Sequence, residues 1–316
     1  MTHNLLQEYF VSAQYFAPRG KERIIFLGEV IAHRHLNYND RLIGIIGDAG
    51  SGKSSLIKGM FPGLELANDD DIMNPRKIML VRDALHEGLP DASTYHMDMR
   101  FLMAFMQMSD IVDYVKEILK NNRRVVVEHF NLLYPALKIN ADLIVGIGEE
   151  IIVSRPSIFG PTPQGIYDMV HFSLIFRRMA HTAEELTVIS LLEEVENLNE
   201  NSFYSSDIRN GFVLRFYEKP EIDFDAITKR VQKMIDEKLD VCYKDDKHIR
   251  IGDRIIPCDG PRIHVSNTSK IEDFHIVPYL VHDKKTKTYC LVGLIGGNYD
   301  NIEDRNTTYF LHRADI

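Results

Sequence analysis

The eight residues Gly47-Asp-Ala-Gly-Ser-Gly-Lys-Ser54 constrain this chain more than any other segment. They fit the pattern G-x-x-x-x-G-K-[ST] and follow a short apolar run, Arg41-Leu-Ile-Gly-Ile-Ile46, that reads as a buried parallel strand. From Ser54 to Gly59 the pattern turns helical. A strand, a glycine loop and a helix in that order make a cradle for phosphate groups. The glycines let the backbone N–H groups curl inward, and the helix start adds partial positive charge. A glycine-rich turn without a ligand is the bland alternative. On the first reading Gly47, Asp48, Ala49, Gly50, Ser51, Gly52, Lys53, Ser54 and Ser55 are the expected nucleotide-binding residues. Lys53 is expected at the β- and γ-phosphates of ATP or GTP, and Ser54 on Mg2+.

Moving a phosphoryl group also takes an acid on magnesium and a residue that activates the acceptor. Glu128 ends the run Val125-Val-Val and is the expected magnesium acid beside Ser54. Asp69, Asp70 and Asp71 close a second strand candidate, Gly63–Ala67. They read either as acids beside the γ-phosphate or as a cap and solvated turn. Lys53, Asp69, Asp70 and Glu128 form the expected catalytic set. Arg155, in Val153-Ser-Arg-Pro, reads as a surface residue or a phosphate contact.

The 316 residues suffice for about two domains, and with 45% apolar and 26% charged residues the chain is of globular composition. In residues 1–160, strands alternate with helices. Arg23–Ala32 reads as a strand or hairpin within an N-terminal extension, 1–40, and Phe101–Leu119 as one long methionine-rich amphipathic helix. Arg123–Glu128 and Ala141–Ile147 read as strands, so an α/β domain with a largely parallel sheet is expected. After the Pro/Gly-rich link Ser157–Pro163 the texture changes. Gly165–Leu198 reads as one long helix, Phe212–Tyr217 as a strand, Asp225–Lys238 as a helix, and several short strands follow from Ile249. Residues 161–316 are thus expected to form an α+β domain.

Residues 41–155 resemble the uridine kinase and phosphoribulokinase-like branch of P-loop kinases. The likeness lies in Ile43–Ser55, the Asp69–Asp71 cluster and Val125-Val-Val-Glu-His-Phe130. It implies a P-loop NTPase fold. In that family an aspartate after the second strand activates the acceptor hydroxyl, a role that the resemblance places on Asp69 or Asp70.

In the second half, His181-Thr-Ala-Glu-Glu185 sets His181 and Glu185 at i and i+4 on one helix face, and Cys258-Asp-Gly-Pro-Arg-Ile-His264 adds a thiol and an imidazole. All three side-chain types are zinc ligands, though the spacing alone fits core or surface roles better. Residues 165–280 resemble the second additional domain of alanyl- and threonyl-tRNA synthetases, most closely over His264-Val-Ser-Asn-Thr-Ser-Lys-Ile-Glu-Asp-Phe-His-Ile276. In those enzymes the domain hydrolyses wrongly charged tRNA, and HxxxH and CxxxH pairs hold zinc. The resemblance thereby implies Zn2+ on His181, Glu185, Cys258 and His264. Here Glu185 stands at the second histidine of the first pair, and the cysteine–histidine spacing is longer. His96, His129, His171, His248 and His282 show no ligand spacing, and Met97, Met99, Met103, Met106 and Met108 read as core packing.

With 37 basic against 46 acidic residues the net charge is −9, which disfavours broad capture of nucleic acid, tRNA included. Three cysteines do not make a disulfide framework, and the longest apolar runs fall far short of the ~20 residues of a membrane span. No lysine-flanked apolar segment is found at the start, so a cytoplasmic protein without a membrane partner is expected. The leading reading is a phosphotransferase that moves the γ-phosphoryl of ATP or GTP to a hydroxyl of an unidentified small acceptor held partly by the C-terminal domain. Two alternatives stand beside it: a tRNA-linked editing-type hydrolase with a regulatory NTPase domain, and a switch-type NTPase.

Overall fold

The computed structural model describes residues 12–66, 68–69, 72–73, 89, 92–208 and 210–297. The chain divides into two compact units, Met1–Phe172 and Ser173–Ile316.

The first unit opens with β1 (Ser12–Phe16), α1 (Lys21–His35), β2 (Leu42–Gly47) and α2 (Lys53–Met60). A two-stranded ribbon follows, β3 (Asn68–Asp69) and β4 (Ile72–Met73), then β5 (Thr94–Asp98), α3 (Met99–Met103) and α4 (Met108–Lys120). It continues through β6 (Arg124–Glu128), α5 (Phe130–Leu137), β7 (Leu143–Ile147) and β8 (Glu150–Ser154). The main sheet runs in the order β1-β8-β7-β2-β6-β5. Strands β7, β2, β6 and β5 are parallel, whereas β8 and β1 add an antiparallel edge. The sheet is therefore mixed and mostly parallel, in line with the largely parallel sheet expected, with an antiparallel edge that the sequence did not announce.

Both faces of this sheet are covered, which is why its strands read as unbroken apolar runs. On β2, Leu42 and Ile46 join one core cluster with Val125, Val127, Ile111, Val115, Phe130 and Ile166. Ile43 and Ile45 join the other, with Ile24, Ile31, Leu56, Ile57, Leu143 and Val145. Helices α4 and α5 thus pack on one face, α1 and α2 on the other. Gly59 lets the latter two helices touch backbone to backbone, since a Cβ there would meet Ile25 O at 1.9 Å.

Three expectations change. Arg23–Ala32 is not a strand but lies inside α1, with Ile24, Gly28 and Ile31 buried at helical spacing. The dense apolar run hid that periodicity, and Phe26 in it is left exposed. The single helix over Phe101–Leu119 is two helices: Asp98 caps α3, and α4 starts afresh after an extended Gln107. Residues 63–66 of the Gly63–Ala67 strand candidate are not in a strand, and Ala67 lies outside the described residues. Besides β2, β6 pairs with β5, a strand that the sequence hides behind His96 and Asp98.

Helix α6 (Pro163–Glu194) begins in the first unit and ends in the second. The second unit continues with β9 (Phe203–Ile208), β10 (Gly211–Phe216), α7 (Phe224–Asp236), β11 (Val241–Asp245), β12 (His248–Ile251) and β13 (Arg254–Pro257). It closes with β14 (His275–Ile276), β15 (Val281–Asp283) and β16 (Thr288–Leu294). One antiparallel sheet runs β14-β16-β10-β9, with β15 also on β16, and a second runs β11-β12-β13. Asp223 caps α7 through Ala226 N at 3.0 Å, and Ile227, Val231 and Ile235 form its buried face. They pack in one cluster with Met179, Ala183 and Leu186 of α6 and with Phe212, Leu214 and Phe216 of β10. Two helices over antiparallel sheets make this unit α+β.

Candidate functional site

Two groups of side chains stand out, one in each unit. In the first, the chain leaves β2 at Gly47, turns through Asp48–Gly52 and enters α2 at Lys53. Gly50 and Gly52 have φ of 77° and 99°, left-handed values that favour glycine. A Cβ on Gly47 would lie 2.8 Å from both Ile147 O and Ser51 Oγ, so the concave side of the loop admits no side chain there. Ser51 is buried, and among the described residues its Oγ meets no hydrogen-bond partner. Lys53, also buried, donates from Nζ to Asp48 O across the loop at 2.8 Å. Burial pulls its pKa down from the usual lysine value, against the opposing charges of Glu128 and Asp98. An anion in the loop would relieve both the desolvated ammonium and the orphaned hydroxyl.

Acidic groups gather at the carboxyl ends of the neighbouring strands, the edge where open α/β sheets hold ligands. Glu128 ends β6 and Asp98 ends β5, and the parallel register pairs the two. Glu128 Oε1 lies 3.4 Å from Ser54 Oγ and 3.1 Å from His96 Nε2. Burial pushes the Glu128 pKa up, but the hydrogen bond and charge of His96, with Lys53, bring it net below the usual value. Asp98 moves the other way: burial raises its pKa, and the Glu128 charge adds to the rise. A hydroxyl beside a buried carboxylate at the end of the loop is a donor set that suits a hard divalent cation such as Mg2+. His129 follows Glu128 with φ of 56°, a left-handed conformation in a non-glycine residue. Burial, with Lys53 and Arg100, pulls its pKa down to about 3, so it stays neutral at physiological pH.

The loop residues expected from the sequence stand together, with Ala49 and Gly50 exposed at the crest and Ser55 half-buried in α2. Asp69 lies in β3, in the short ribbon, while Asp70 and Asp71 lie outside the described residues. Arg155 is not beside the loop. It follows Ser154, which pairs with Ile144 near the start of β7, whereas Gly47 pairs with Ile147 at its end. There Arg155 makes a two-pronged ion pair with Asp40, both contacts at 2.8 Å. Sequence reasoning missed Asp98 and His96; the alternation in Thr94-Tyr-His-Met-Asp98 was the available signal.

In the second unit, His181, Glu185, Cys258 and His264 converge, each offering a ligand atom within 4.8 Å of the others. Cys258 Sγ lies 3.5 Å from His181 Nε2 and 3.3 Å from His264 Nε2. His181 Nε2 lies 3.5 Å from Glu185 Oε1. The outer nitrogens fix the tautomers. His181 Nδ1 faces the Ile263 carbonyl at 3.0 Å, so it carries the proton. Thr182 Oγ1 donates to Arg178 O at 2.8 Å and lies 3.2 Å from His264 Nδ1, so that nitrogen must donate as well. Both Nε2 atoms therefore turn their lone pairs towards the thiol and the carboxylate. The imidazole rings stack with centroids 4.1 Å apart, and Gly260 N donates to Sγ at 3.3 Å. Four converging donors with their outer nitrogens already committed make a group suited to a cation.

No family model matches the chain, and no curated protein matches it in sequence. Among the described residues, no helix is long and apolar enough to cross a membrane.

Proposed function

We propose that the first unit binds ATP or GTP at the Gly47–Ser54 loop and transfers its γ-phosphoryl group to an acceptor hydroxyl, with Asp98 as the activating base. The observation that carries this reading is the meeting of Lys53, Ser54, Glu128 and Asp98 at the carboxyl ends of adjacent parallel strands. The acceptor oxygen attacks the γ-phosphorus, its proton passes to Asp98, and the bond to the β,γ-bridging oxygen breaks to release the nucleoside diphosphate. Lys53 offers its charge to the β- and γ-phosphates in place of the Asp48 carbonyl, and the loop N–H groups take the remaining oxygens. Ser54 and Glu128 would hold Mg2+, which when bound neutralises phosphate charge. Burial suits Asp98 to the base role by raising its proton affinity. Asp98 thus takes the role expected of Asp69 or Asp70.

His181, Glu185, Cys258 and His264 would hold Zn2+ with four protein donors. A set of four protein donors closes a tetrahedron and supports a structural site. The second reading, a tRNA-linked hydrolase, would need the same group to leave one coordination position open for water.

The test follows the label of γ-phosphate-labelled ATP, with a small-metabolite pool and total tRNA offered separately. The expected result is label in an acid-stable small molecule, lost in Lys53→Ala and in Asp98→Asn. Label released only as inorganic phosphate, unchanged in Asp98→Asn, would replace transfer with a switch-type NTPase. Deacylation of tRNA that fails in Cys258→Ala would favour the hydrolase.

A further inference from the structure

The second residue of the loop is an aspartate, an anion in a segment suited to collecting anions. Its carboxylate is only 13% exposed, and both its oxygens are taken by helix α6. Tyr167 OH lies 3.2 Å from Asp48 Oδ1, and His171 Nδ1 lies 2.6 Å from Asp48 Oδ2. The two rings come from one turn of the helix and stack, with centroids 5.3 Å apart and planes 16° from parallel. The backbone of the same aspartate is equally engaged, its carbonyl accepting from Lys53 Nζ at 2.8 Å and from Ser51 N at 3.3 Å. Asp48 is thus the joint through which α6 grips the loop, and Lys53 rests on that joint.

We infer that Tyr167 and His171 are positioning residues for the nucleotide loop: they anchor the Asp48 carboxylate, fix the turn that presents Lys53, and keep that carboxylate from turning towards incoming phosphates. This rests on the reading of Gly47–Ser54 as a nucleotide site. A carboxylate bound by two donors, one of them an imidazole, is held more firmly than one facing water. Released, it could turn towards the phosphates and repel them across a few ångströms in a partly buried setting, where screening by salt is weak.

The test is a calorimetric titration of ADP and of ATP with Mg2+ into the full-length protein. The variants are His171→Phe, Tyr167→Phe, Asp48→Asn and the double variant His171→Phe/Asp48→Asn. Phenylalanine at 171 keeps the ring on Tyr167 and loses the donor to Asp48. His171→Phe is expected to weaken nucleotide binding by about tenfold and Tyr167→Phe by about threefold. In the double variant the affinity returns to within about twofold of the parent, because the stranded charge is gone. Wild-type affinity in His171→Phe, or a loss that Asp48→Asn does not rescue, overturns the positioning role while leaving the nucleotide site standing. A parent protein that binds no nucleotide overturns both.

Discussion

The glycine loop and the four-donor centre are both dense in chemistry, but they are assembled in opposite ways. The loop draws on consecutive residues, and backbone curvature at Gly47, Gly50 and Gly52 shapes it. Its acids arrive from neighbouring strands in register, as Asp98 does beside Glu128. The centre draws on one turn of α6 and on a turn remote in sequence, with Cys258 and His181 separated by 77 positions. Its geometry depends on outer hydrogen bonds such as those of Thr182 and Ile263. The loop takes its curvature from its own residues and only an anchor on Asp48 from afar, whereas a site made by tertiary convergence fails with any one of its supports. The two are therefore expected to fail separately.

Cys258→Ala sharpens that contrast most. It should abolish bound zinc and lower the stability of the second unit by several kcal/mol, while nucleotide affinity stays unchanged. Metal content by mass spectrometry and melting with and without a chelator read this directly, and a protein that melts identically with and without metal would break the picture. Lys53→Ala comes next, with nucleotide turnover falling about 100-fold or more and metal content held at the parent level. Thr182→Val removes the acceptor of the His264 Nδ1 proton and should weaken zinc binding about 10–100-fold, measured by competition with a chromogenic chelator.

Two smaller effects concern pH. Asp98 must be ionised to accept a proton, and its pKa is raised, so turnover should fall on the acid side at a pH above the ordinary aspartate value. That limb should be missing from the residual activity of Asp98→Asn. His129 has its pKa lowered to about 3 from 6.5. The unfolded chain therefore takes the proton first, and stability that is complete above pH 6.5 is lost as the pH falls towards 3. Between pH 7 and pH 5 the loss is on the order of 1–2 kcal/mol, and His129→Asn, which tolerates the left-handed backbone, should flatten that part of a denaturation profile.

The same contrast governs what could be read without a structure. The loop was legible because its motif is contiguous, and the spacing His181-x-x-x-Glu185 was legible because helix periodicity puts both on one face. The edge strand β5 was not, because Thr94, His96 and Asp98 break the apolar run that marked the other parallel strands. Helix α1 reads as a strand because Ile24-Ile-Phe-Leu27 is apolar throughout, and the burial of Ile24, Gly28 and Ile31 with the close backbone contact at Gly28 and Gly59 shows which face is inside. The break at Ala104–Gln107 leaves no proline or glycine in the sequence to announce it. Nor could spacing show that Asp48 is gripped by Tyr167 and His171, since 119 and 123 positions separate them from it.

We propose that the Gly47–Ser54 loop is a nucleotide site built around Lys53. It is tested most directly by titrating ATP with Mg2+ into the parent protein and into Lys53→Ala under the same conditions. Saturable binding at one site per chain in the parent, weakened about 100-fold or lost in Lys53→Ala, is the expected result. Equal affinity in the two proteins, or no binding in either, would contradict it.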